Sequence, residues 1–311
     1  MPTAADRQGP GHEYAGWRAR GVHQRAGSWV VARPGDVASA LQASSLVVPP
    51  PPSSGGPADS LRSRMARFCD GADHPRRRAL AVELLPDPAT LGSVAAGSVQ
   101  AALASAAPPY DVMPVARRVP AEVLAITLGV PSAAVTTVIG HVATLCAAWA
   151  PWLGDAPTHG DADAAARALE VVVGPIVGAA DERVAALVGL LVQAQDATAG
   201  LIGAALLAGG VPDPPPEAVA PVQGTRRVAV TDTVLGGVAL PRGADVWVVL
   251  AGQTFGAGRH ACPGRAAALA LARGLVAAVH AAGWRAVPRQ PVAYEPRANL
   301  RVPARVMLEW A

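Results

Sequence analysis

The sequence contains no lysine: its 26 basic residues are all arginine, against 23 acidic ones. Asparagine occurs once, at Asn299, and isoleucine four times. Alanine, glycine, proline, valine and arginine dominate instead, as in GC-rich, actinobacteria-like coding. The arginines are therefore not in themselves a sign of an anionic partner. Only 16% of the 311 residues are charged and 4% are aromatic, while 51% are apolar. That balance excludes a disordered chain and supplies a sizeable core. A net charge of +3 argues against a nucleic-acid partner. Cysteine is scarce too: Cys69, Cys146 and Cys262 form no CxxC pair and no even framework. This excludes a secreted disulfide scaffold and a cysteine-rich zinc site. The N-terminus, MPTAADRQGPGHEY, has no apolar signal core, so a cytoplasmic protein is expected. Val184 to Leu207 is long and apolar enough to span a bilayer. However, Gln193, Gln195, Asp196 and Thr198 cluster at its middle, where polar groups cost most in lipid. A buried helix is expected there, with no membrane attachment.

No internal repeat is visible. Residues 28–42 read as a strand, a turn and a helix, and the four prolines within 47–56 require an extended loop. Helices are expected from about Asp59, near His74, and over 88–106, 119–128, 131–150 and 161–180. A long helix runs over 181–208 and stops at Gly209-Gly210. After the proline-rich break at 210–224, residues 225–250 alternate as strands and hairpins. A glycine-rich loop, a helix over 265–283 and a strand-like C-terminus complete a mainly α chain with a minor β component.

The most specific feature is Phe255-Gly256-Ala257-Gly258-Arg259-His260-Ala261-Cys262-Pro263-Gly264. Glycines let such a loop turn sharply and bring backbone amides toward one atom, here the Cys262 sulfur. A cysteine just ahead of a helix has its thiolate stabilised by the helix dipole. A thiolate so placed suits axial ligation of haem iron.

This string resembles the cysteine-ligand loop of the cytochromes P450, F-G-x-G-x-H-x-C-x-G, at every fixed position. The resemblance extends over most of the chain and in the family's order. DGADHPRRR (70–78) is similar to the segment where a His and an Arg bind a haem propionate, here His74 and Arg78. QAQDATAGLIGAALLA (193–208) resembles the oxygen-activating central helix, with Thr198 and Gln195 as its candidate catalytic residues. Residues 221–248 are similar to the strands that supply another propionate arginine. Arg227 is the candidate and Arg226 its competitor, since strand alternation lets only one point inward. Residues 111–131 and 294–303 resemble further helical and C-terminal strand segments. The resemblance implies one P450-like domain over 1–311 that holds haem b. Cys262 would be the iron ligand, and Phe255, Gly256, His260 and Gly264 would complete its loop.

The chain departs from the family in four ways. Bacterial members run to about 400 residues, so segments are missing. Thr198 and Arg227 are 29 residues apart, and Arg227 and Cys262 35 apart. Both spacings are short, so the fold is expected to be truncated between the central helix and the cysteine loop. The family's E-x-x-R pair is absent: Glu217 stands near its place, but Ala220 replaces the arginine. In the central helix Gln195 replaces a glycine and Ala197 an acid. Asp196 lies about 200° around the helix from Thr198, so it cannot serve beside it unless the helix kinks. Gln195 lies on nearly the same face as Thr198, where it would meet a substrate. Pro263 removes one N–H donor near the sulfur and suits the first turn of a helix.

The implied function is a haem-thiolate monooxygenase acting on a small hydrophobic molecule in bacterial secondary metabolism. A ferredoxin-type redox partner would dock near Arg259, Arg265, Arg76 and Arg77. Two alternatives remain open at this stage. One is a P450-derived haem protein catalysing a non-oxidative cyclisation, dehydration or rearrangement. The other is a non-enzymatic P450-like partner protein, against which the intact Cys262 loop counts.

Overall fold

The computed structural model describes residues 12–51, 55–149, 157–179, 181–250, 252–287, 292–295 and 299–311. In chain order it begins with helix α1 (His12–Arg20), strands β1 (His23–Arg25) and β2 (Ser28–Val31), α2 (Pro34–Gln42) and β3 (Leu46–Val47). Helices α3 (Pro57–Ser63), α4 (Asp73–Glu83) and α5 (Pro88–Leu103) follow, then β4 (Tyr110–Asp111). Next come α6 (Met113–Thr127), α7 (Ser132–Ala148), α8 (His159–Val177) and α9 (Asp181–Ala208). Strands β5 (Gly224–Ala229), β6 (Thr233–Leu235), β7 (Val238–Leu240) and β8 (Asp245–Val249) precede α10 (Arg265–Ala281). Strands β9 (Trp284–Ala286) and β10 (Met307–Trp310) end the chain. The fold is thus mainly α with a minor β part, and residues 209–223 contain neither helix nor strand.

The chain divides into two compact units. One comprises Met1–Pro50, Pro212–Cys262 and Pro296–Arg301. It is built on a five-stranded sheet ordered β1-β2-β8-β5-β3, in which only β2 and β8 run parallel. Alternation sends side chains to two faces. Val31, Val246 and Val248 join α2 residues Val37 and Leu41 and the β6–β7 residues Leu235 and Leu240 in one core. On the other face Val30, Trp247 and Val249 pack with Tyr14 and Trp17 of α1. Gly224 opens β5 there because a Cβ would lie 2.5 Å from the Trp247 ring.

The other unit comprises Pro51–Val211, Pro263–Glu295 and Val302–Ala311. Helix α9 is its axis, packed by α4, α6, α7, α8 and α10. Helices α5 and α10 cross so closely that a Cβ on Gly274 would lie 2.2 Å from the Gly92 carbonyl oxygen. A small sheet, β4-β10-β9, buries Trp284.

The long helix has its expected limits, and Gly209 ends it with φ +79°. It is the one described helix long and apolar enough to cross a membrane, and 67% of its most apolar stretch is buried inside the protein. Helix α6 begins six residues before the expected start at 119. Its Met113 amide donates to Asp111 Oδ1 at 3.1 Å, and it continues through the buried Pro120. Helix α1 and the two-residue strands β3 and β4 lack any pattern long enough to announce them. The expected loop over 150–161 lies mostly outside the described residues, as do parts of the 1–27, 47–56 and 294–303 segments.

Candidate haem-thiolate site

The cysteine loop is held by its own backbone. The Cys262 amide donates to the Phe255 carbonyl at 2.8 Å, Gly256 to Gln253 at 2.7 Å and Ala261 to Gly258 at 3.1 Å. Gly256 and Gly258 take φ of +69° and +66°, a region that favours glycine. At Gly258 a Cβ would also lie 2.6 Å from the Leu41 carbonyl oxygen. Arg259 ties the loop to the segment after α2 by donating to the Ala43 carbonyl at 3.0 Å and the Leu46 carbonyl at 2.8 Å. Within this frame Phe255 and His260 are half-buried and Cys262 is exposed.

Gly264 differs from the other two glycines. It sits at the N-cap of α10 with φ −89°, and a Cβ there would make only ordinary contact, 3.7 Å from Leu85. Among the described residues no close contact requires glycine at this position.

The strand arginines are separated by register. Arg226 pairs with Trp247 and Arg227 with Val246, so the two point to opposite faces. Arg226 is engaged with Asp245 through Nε at 3.0 Å and Nη2 at 2.7 Å. Arg227 is only 4% exposed. Its Nη1 donates to the Thr225 hydroxyl and the Arg226 carbonyl, both at 2.8 Å. The structure thus separates the two candidates and buries Arg227.

In the other unit, His74 (4% exposed) lies in the first turn of α4, and the half-buried Arg78 follows one turn later. Positions four apart share a helix face, so the two act on one side of α4. Arg76 and Arg77 do not join them. Arg76 bonds Asp73 at 2.8 Å and also meets Glu182, and Arg77 bonds Glu182 at 2.9 Å. Together with Arg259 they hold intramolecular partners, which leaves less of the expected docking charge than the sequence suggested.

Helix α9 is buried over Val184–Leu191 and again from Thr198, but all six residues between, 192–197, are half-buried. Thr198 is only 3% exposed. Gln195 is fixed by α7: the Cys146 thiol lies 3.7 Å from its Oε1 and 3.7 Å from the Val192 carbonyl. The helix is unbroken, so Asp196 keeps its angle away from Thr198.

Sequence reasoning missed what became of Glu217. Its carboxylate is bound by the Arg18 guanidinium of α1, 199 residues away in sequence.

No family model matches the sequence, and no curated protein matches it. Solved structures do. A crystal structure of P450BioI in complex with a hexadec-9Z-enoic acid ligated acyl carrier protein aligns with 100% of this chain and 100% of its own. Its TM-score is 0.80 at 15% identity. The crystal structure of CalO2 aligns over 100% and 98%, with TM-score 0.81 and 20% identity. The cytochrome P450 CREJ, in complex with (4-ethylphenyl) dihydrogen phosphate, aligns over 100% and 99%, with TM-score 0.76 and 19% identity. This protein therefore has the cytochrome P450 fold from end to end.

Proposed function

We propose that the protein is a cytoplasmic haem-thiolate enzyme of the P450 type that oxidises a small hydrophobic molecule in bacterial secondary metabolism. The observation that carries this reading is Cys262. The residue is exposed at the end of a loop whose glycines, backbone bonds and Arg259 anchor fix it in place, in a chain with the P450 fold. Cys262 supplies the thiolate ligand, and His74, Arg78, Arg227 and His260 bind the propionates. Phe255, Gly256 and Gly264 shape the loop against the macrocycle. Haem b, when bound, supplies the redox chemistry of dioxygen that no side chain here can perform. Thr198 presents a buried hydroxyl that can accept and pass on one proton. Gln195, its oxygen engaged by Cys146, addresses the substrate through its amide group. Electrons come from a ferredoxin-type partner.

The test is coupling. With haem, substrate and a redox partner supplied, Thr198→Ala should lower product formed per NADPH consumed by roughly tenfold or more, the scale of a lost proton-transfer group. Equal coupling in wild type and variant would count against the oxidative reading.

One observation favours a second reading. With α9 unbroken, Asp196 points away from Thr198, and its neighbours Ala194 and Ala197 carry no acid. A haem enzyme without proton delivery would suit a non-oxidative cyclisation, dehydration or rearrangement. Product formation that needs no reductant and survives Thr198→Ala would establish it.

A further inference from the structure

A cluster formed by Arg62, Phe68 and Trp149 has no part in the reading above. Arg62 is in α3, Phe68 ends the short 3-10 turn Ala66–Phe68, and Trp149 caps α7. The Arg62 guanidinium carbon lies 4.6 Å from the Phe68 ring centre and 5.5 Å from that of Trp149. The two rings meet edge to face, with centres 6.1 Å apart. Arg62 is thus a cation enclosed by aromatic walls.

The enclosure is incomplete chemically. Burial lowers the Arg62 pKa to about 10, Asp59 opposing the shift and Arg67 adding to it. Among the described residues the Arg62 side chain forms no ion pair, and its Nε–H is buried without an acceptor. The Trp149 indole N–H is likewise buried without an acceptor. Buried donors are nearly always satisfied in folded proteins, so two on adjoining groups point to an acceptor that arrives with a ligand. The rings stabilise the cation without supplying that acceptor.

The cluster is also well placed. Trp149 follows Cys146 by three residues, on the same side of α7. Cys146 lies against Val192 and Gln195, in the middle of α9 where solvent reaches the helix. Trp149 therefore stands about one helical turn from the residue that touches Gln195.

We propose that Arg62 and Trp149 form a carboxylate-binding subsite, and that the substrate is a hydrophobic molecule bearing one carboxylate. A single desolvated cation with two N–H donors matches a planar monoanion, and Phe68 and Trp149 give its apolar stem a surface. The assignment of this ligand as the substrate rests on the proposed function; the subsite itself does not.

Calorimetric titration of the full chain, with haem supplied, using dodecanoate and dodecanol tests the subsite. Dodecanoate should bind at least tenfold more tightly than dodecanol. Arg62→Met should abolish that preference while leaving dodecanol binding within about twofold. Trp149→Phe keeps the aromatic wall and removes only the donor, and should reduce the preference several-fold. Circular dichroism melts of both variants verify folding, and the Trp149→Phe arm stands if Arg62→Met misfolds. Equal binding of the two ligands, binding of neither, or a preference that survives both substitutions would overturn the subsite. A carboxylate preference in a chain that forms no thiolate-ligated haem would keep the subsite and remove the enzyme reading.

Discussion

Gly258 has the strictest steric demand in the cysteine loop. Its φ of +66° disfavours any L side chain, and a Cβ would press on the Leu41 backbone oxygen at 2.6 Å. Backbone cannot move aside as a flexible side chain can. Gly258→Ala should therefore destabilise the protein by about 2 kcal/mol or more in a denaturant titration. Gly264→Ala should change the stability of the haem-free protein by less than about 0.5 kcal/mol, because only ordinary contact with Leu85 awaits it. If both variants lose stability equally, the roles given to the two glycines are wrong. The fixed residues of this loop were legible in the sequence because glycine, cysteine and histidine each carry a distinct requirement. Arg259 was not. The pattern leaves its position open, and its two acceptors lie 216 and 213 residues away. The choice of Arg227 over Arg226 also needed the structure. Alternation says that the two face opposite ways, but only the register against Val246 and Trp247 says which way is inward.

Among the elements, the limits of α9 were readable from the apolar run and the closing glycines. What it touches was not readable, including the bond from Cys146 to Gln195. The crossing of α5 and α10 is another tertiary fact hidden in sequence, since Gly92 and Gly274 sit in alanine-rich helices where glycine has no local purpose. Gly274→Ala raises helix propensity by about 1 kcal/mol. Even so it should lower the melting temperature by several degrees, because the Gly92 carbonyl occupies the space at 2.2 Å. A rise in melting temperature would show that the helices can separate without cost. The start of α6 illustrates the same limit on sequence reading. Helical composition suggests a start near 119, whereas the bond from the Met113 amide to Asp111 and the buried face from Met113 onward place the start earlier.

At the scale of the whole molecule, the sequence pointed to the fold through the order of its segments. The stretch from α9 to β5 holds no helix or strand, in keeping with the short spacing from Thr198 to Arg227. Loss of the E-x-x-R arginine left open how Glu217 is satisfied, and the partner proved to be Arg18 of the first helix. No local pattern announces α1, so that pairing could not be read in advance. The central claim is that this fold serves to hold haem through Cys262. It is tested most directly by the reduced, carbon monoxide-bound absorption spectrum of the haem-supplied protein. The account predicts a thiolate-type Soret band in wild type that disappears in Cys262→Ala. A wild-type spectrum without that band, or a band that persists in Cys262→Ala, would contradict it.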